Sequence, residues 1–200
     1  MTEKLGEKMS TIRTKFIVVS LPRTGTMSLC QMAKDVGLEV SHAPGPAYIP
    51  YLNRYDFIAD TPAFRPSLIR DVMDMSDDVK FIYCMKDADS WVASMEKVKL
   101  SRNYNNMYTQ SIDNPDSMNI HMQTDFYSLN EVLGGEFKVP EAQQAFELHR
   151  GVVQELIPAD RLLMYDFNNG WKPLAEFMGV PIPDEEVPHL NETTMFDQLT

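Results

Sequence analysis

The stretch Ser20-Leu-Pro-Arg-Thr-Gly-Thr-Met-Ser28 concentrates groups that hold an oxyanion. Gly25 has no Cβ and lets the backbone approach a ligand closely. Thr24, Thr26 and Ser28 offer hydroxyls. A helix begins at Thr26, so the N–H groups of Thr26, Met27 and Ser28 lack partners in that helix and its dipole favours an anion. Arg23 adds a fixed charge with planar donors. Together these make an oxyanion or phosphate nest. A strand–turn–helix corner with a capping Thr is the plainer reading of the same residues. The stretch is not the Gly-x-x-x-x-Gly-Lys-Ser/Thr loop of ATPases and kinases: the first Gly is missing, and Thr26 stands where Lys should follow Gly25.

A second junction adds Lys86 and, about a turn into the next helix, Ser94. The pair has the reach to pinch a second phosphate; alone, it reads as a solvated corner with an N-cap near Asp89 or Ser90. For proton transfer the candidates are His42, just after a short strand, and Asp60, at the end of Phe57-Ile-Ala. Each also has an ordinary reading, as a loop histidine and as a turn carboxylate. His121 is a weaker third choice, and His149 and His189 weaker still. Four scattered His and two lone Cys give no metal-ligand spacing, so no metal is expected.

Strands and helices alternate around these residues. Strands are expected at 15–20, 38–41, 57–60, 79–85 and 161–165, and helices at 26–36, 68–75, 90–100, 140–156 and 171–178. The Pro-rich stretch 43–50 reads as loop. This pattern predicts one α/β domain over 15–200: a parallel sheet flanked by helices on both faces, behind a flexible segment 1–14. Ligands in such sheets sit at the carboxyl ends of the strands, where both junctions fall. Residues 101–138 are Asn- and Met-rich and carry Tyr104, Tyr108, Phe126 and Tyr127. They read as a lid over an acceptor site or as an ordinary covering layer.

The 200 residues carry a net charge of −11, which argues against generic binding to nucleic acid but leaves room for one anion in a local basic pocket. The Met1–Lys8 start lacks an apolar signal core, and no apolar run is long enough to span a membrane. Cys30 and Cys84 stand in apolar contexts as reduced core residues. A cytoplasmic protein is expected, and a homodimer is allowed.

Val18-Val-Ser-Leu-Pro-Arg-Thr-Gly-Thr-Met-Ser-Leu29 followed by Lys80-Phe-Ile-Tyr-Cys-Met-Lys-Asp-Ala-Asp-Ser-Trp-Val-Ala-Ser94 resembles the P-loop sulfotransferase superfamily. The segment from Arg161 to Pro183 resembles the last strand and short helix of its short members, so the likeness runs from about residue 15 to 192. The resemblance implies a P-loop-like sheet and a PAPS-dependent sulfotransferase, PAPS being 3′-phosphoadenosine 5′-phosphosulfate. Adenosine 3′,5′-bisphosphate would be the product, a small-molecule or glycan hydroxyl (or an amine) the acceptor, and no metal would be needed. It implies that Arg23, Thr24, Gly25, Thr26, Met27 and Ser28 hold the 5′-phosphosulfate, and Lys86 with Ser94 the 3′-phosphate. Arg23, His42 and Asp60 would then serve the chemistry. Lys86 replaces the usual Arg and Ala88 a common Pro, and the Arg-Lys-Gly loop of the cytosolic branch has no counterpart. The alternatives are a non-catalytic nucleotide-binding module of the same fold and an atypical small-molecule kinase.

Overall fold

A computed structural model describes residues 12–42, 44, 48–60, 62–100 and 139–190. Short β-branched and aromatic runs form five parallel strands: β1 (Phe16–Val18), β2 (Val40–His42), β3 (Phe57–Ala59), β4 (Lys80–Cys84) and β5 (Leu162–Tyr165). Their order is β2-β3-β1-β4-β5. The chain leaves β1 in one direction to make β2 and β3, then crosses to the other side for β4, so the carboxyl end of β1 is a switch point. The register sets Ile17 between Ile58 and Phe81, and His42 beside Ala59.

Strand side chains alternate between two apolar layers, as a sheet covered on both faces requires. Phe16, Val18, Ile82 and Cys84 pack under α1 (Thr26–Asp35) and the last helix, α6 (Trp171–Met178). Ile17, Val19, Phe81 and Tyr83 face α3 (Pro66–Met75) and α5 (Val139–Leu156). A third cluster of Leu21, Phe64, Trp91, Val92, Ala142 and Phe146 sits beyond the strand ends and joins α5 to α4 (Ala88–Leu100). It anchors the helix that follows β4 to the loop that follows β1.

Three expectations are corrected. Arg13 and Thr14, expected within a flexible segment, hold defined contacts. Thr14 is buried and its hydroxyl lies 2.7 Å from the Tyr55 carbonyl, while Arg13 pairs with Asp56. The Pro-rich loop gives way at Tyr48–Leu52 to a short helix, α2. Pro50 is tolerated there because the first turn of a helix leaves its N–H groups unpaired anyway. The helix after β4 starts at Ala88, and its cap is Asp87, whose carboxylate accepts the Ser90 N–H at 2.8 Å. Residues 1–11, the proposed lid at 101–138 and His121 lie outside the described residues.

Candidate active site

The loop between β1 and α1 is built from both ends. Thr24 turns its hydroxyl inward, 2.7 Å from the Leu21 carbonyl and 3.0 Å from Ser20 Oγ. It therefore shapes the loop rather than offering a free hydroxyl. Arg23 and Gly25 take positive φ, 68° and 100°. That strains Arg23, while Gly25 adopts it freely. A Cβ on Gly25 would stand 2.6 Å from Cε2 of Phe167 and 2.8 Å from Cζ, so only glycine fits. Gly25 caps α1 without a side-chain bond, leaving the first N–H groups of that helix, Met27's among them, for a ligand.

The second junction holds the first. Lys86 Nζ donates to the Arg23 carbonyl at 2.9 Å, Arg23 Nε donates to Ser94 Oγ at 3.3 Å, and Trp91 Nε1 donates to the Pro22 carbonyl at 2.8 Å. Lys86 and Ser94, paired by spacing alone in the sequence, thus meet Arg23 directly. Burial lowers the Arg23 pKa against the pull of Asp60. Burial, then the nearby Arg23, lowers that of Lys86. An anion between the two cations would relieve both. Beneath the loop, burial pushes the Cys84 thiol up to about 12, and that of Cys30 likewise, so neither is a nucleophile.

On the other side of the loop, β2 and β3 deliver His42 and Asp60 to Thr26. The Thr26 hydroxyl donates to Asp60 Oδ2 at 2.9 Å, and His42 Nε2 lies 3.1 Å from Thr26 Oγ1 and 3.1 Å from Asp60 Oδ2. Asp60 also has positive φ, 68°, a strain held in place by this cluster. His42 and Asp60 therefore stand within hydrogen-bond reach of the phosphate loop. His149 does not join them: it lies on the buried face of α5 with Nε2 2.8 Å from the Phe64 carbonyl.

A cavity of about 660 Å³ opens at these strand ends. Arg23, Thr24, Gly25, Thr26, Ser28, Lys86 and Ser94 line it. The rest of the lining, to which the sequence assigned no ligand contact, is Met85, Asp87, Ser90, Arg150, Asp166-Phe-Asn168 and His189-Leu190. Asp166 to Asn168 directly follow β5, so the strand-end rule that pointed to Lys86 would have found them. Arg150 and His189 carry no such local signal. Ser28 differs from expectation. Its hydroxyl accepts the Leu190 N–H at 2.9 Å and lies 3.4 Å from the Leu190 carbonyl, so the chain's last described segment occupies it.

Two comparisons bear on this cavity. A family model described as "Sulfotransferase domain" matches residues 48–196, beginning after the Arg23 loop. The chain is also 25% identical over 215 residues to "Ava biosynthesis cluster protein M" of Aspergillus versicolor, an alignment covering 88% of this chain and 80% of that protein.

Proposed function

Since the chain belongs to the sulfotransferase domain family, we propose that it moves a sulfuryl group from PAPS to the hydroxyl or amine of a small-molecule acceptor. The observation that carries this reading is the position of Thr26. It joins an anion nest, built by Arg23, Gly25 and Lys86, to a proton-accepting cluster of His42 and Asp60. In an in-line displacement the acceptor oxygen bonds to sulfur as the bond from sulfur to the 5′-phosphate oxygen breaks. Charge then builds on the leaving phosphate, and a proton leaves the acceptor.

Arg23 and the free N–H groups at the start of α1 are aimed at that leaving charge. Asp60 accepts from the Thr26 hydroxyl and stands 3.1 Å from His42 Nε2, so its carboxylate orients the imidazole. His42 is the general base in this reading and Asp60 its positioning partner. Lys86 and Ser94 sit on the other side of Arg23, where the donor's 3′-phosphate would lie. The name of the Aspergillus relative places that protein in a biosynthesis cluster, which favours a small-molecule acceptor here over a glycan. Among the described residues no helix is long and apolar enough to cross a membrane, and with two buried free cysteines the location we propose is the cytoplasm.

A thermal-shift series with adenosine 3′,5′-bisphosphate, ATP with Mg²⁺, and NAD tests the donor class. At about a hundred times its Kd the bisphosphate should add about 2.7 kcal/mol, or roughly 5–10 °C for a chain of this size. Selective stabilisation by ATP with Mg²⁺ would replace the reading with a kinase. Transfer of radiolabelled sulfate from PAPS to a panel of hydroxyl compounds then tests turnover.

A further inference from the structure

We infer that Arg150 completes the subsite for the donor's 3′-phosphate, exchanging its ion pair with Glu147 for the bound anion; this rests on the donor reading above.

Arg150 lines the same cavity as Lys86, Ser90 and Ser94 although it comes from a distant helix. Its position follows from the register of α5. Phe146 stacks on Trp91 of α4 with ring centroids 4.9 Å apart. Arg150 lies one turn further along the same face of α5. That register puts Arg150 on the face of α5 that packs against α4, the helix that carries Ser94. Gln143, one turn earlier, donates to Asp89 and fixes the same pairing of helices.

The groups already at that place are partly engaged. Lys86 gives one N–H to the Arg23 carbonyl, and Ser94 Oγ accepts from Arg23 Nε. A phosphate dianion has more acceptor sites than these two side chains have donors left. The Arg150 guanidinium is a rigid fork that binds two phosphate oxygens at once, which the point charge of Lys86 cannot do. Its partner Glu147 is on its own helix, and their side chains are 32% and 43% exposed. An exposed pair of this kind is weak and readily exchanged for a doubly charged anion. The charge pattern agrees: Arg23, Lys86 and Arg150 all line this cavity, alongside Asp87 and Asp166, in a protein of net charge −11.

Calorimetric titration of adenosine 3′,5′-bisphosphate and adenosine 5′-phosphate into the full chain and three variants tests this. Arg150→Ala should weaken the bisphosphate about 10- to 150-fold, the loss of a charge-assisted contact, while shifting the monophosphate less than about 3-fold. Arg150→Lys keeps the charge and the packing of the stem, and should fall between. Glu147→Gln, which releases Arg150 beforehand, should tighten the bisphosphate a few-fold. A bisphosphate affinity unchanged in both Arg150 variants, or an equal loss for the two ligands, overturns the role of Arg150 and leaves the donor reading standing. A wild-type chain that binds neither ligand overturns the donor reading, and this inference with it.

Discussion

Replacing Gly25 by alanine should damage the loop twice over, and the two effects can be separated. The backbone there has φ +100°, where a Cβ meets its own chain. A left-handed conformation costs an L-residue about 1–2 kcal/mol. The new Cβ would also lie 2.6 and 2.8 Å from two carbons of the Phe167 ring, closer than any stable carbon contact. That ring cannot swing freely, because it packs edge-on against Tyr165 with centroids 5.0 Å apart. Moving it off its rotamer costs roughly 0.5–1.5 kcal/mol more. The expected destabilisation is about 1.5–3.5 kcal/mol, a Tm lower by about 3–14 °C for a domain of this length. Because Gly25 and Phe167 both line the cavity, affinity for adenosine 3′,5′-bisphosphate should fall as well. A double-mutant cycle with Phe167→Leu isolates the contact. Trimming the ring should recover about 0.5–1.5 kcal/mol of the Gly25→Ala penalty, leaving the backbone strain. Strictly additive losses would refute the clash, and an unchanged Tm in Gly25→Ala would refute the left-handed loop itself.

Three further outcomes are expected. Arg23→Ala should lower affinity for the bisphosphate and for adenosine 5′-phosphate alike, by about 10- to 150-fold, since the proposed site sets Arg23 against the phosphate common to both; calorimetry with the two ligands measures it. His42→Ala and Asp60→Asn should each cut turnover at least about a hundredfold while the donor dissociation constant stays within about 3-fold. Full turnover in both, in a sulfate-transfer assay, would move the base elsewhere. His149 is buried, and desolvation lowers its pKa from 6.5 against the opposing bond to Phe64. The unfolded chain therefore takes up this proton first as pH falls, so stability drops from about pH 6.5 downward through the lowered folded value. His149→Gln, which keeps a donor for the Phe64 carbonyl, should flatten that drop in urea midpoints measured at pH 7.5 and 5.0; an equally steep fall in the variant would assign the acid loss to other groups.

The β1–α1 loop, the alternation of strands and helices and the polarity of the sheet were legible in the sequence because they are local. Phe16 to Val19 alternate between two apolar layers, and buried parallel strands read as continuous apolar runs. The glycine at position 25 and the start of a helix at Thr26 follow from neighbouring residues. The ends of β2 and β3 were legible too, and with them the candidacy of His42 and Asp60. Their meeting at Thr26 was not. It depends on β3 lying between β1 and β2 with His42 beside Ala59, and register between strands distant in sequence is set by packing of the whole sheet. Pro50 misled for a related reason: a proline-rich stretch reads as loop until its first-turn position is known. Arg150 and Leu190 lay further beyond reach. Arg150 joins the cavity only because Phe146 docks α5 on Trp91, and Leu190 only because the last described segment crosses α1 to bond Ser28. Local chemistry decided which residues form the β1–α1 loop. Long-range packing decided which others surround it, because such contacts are selected by the free energy of the closed core and not by the preferences of the residues that make them.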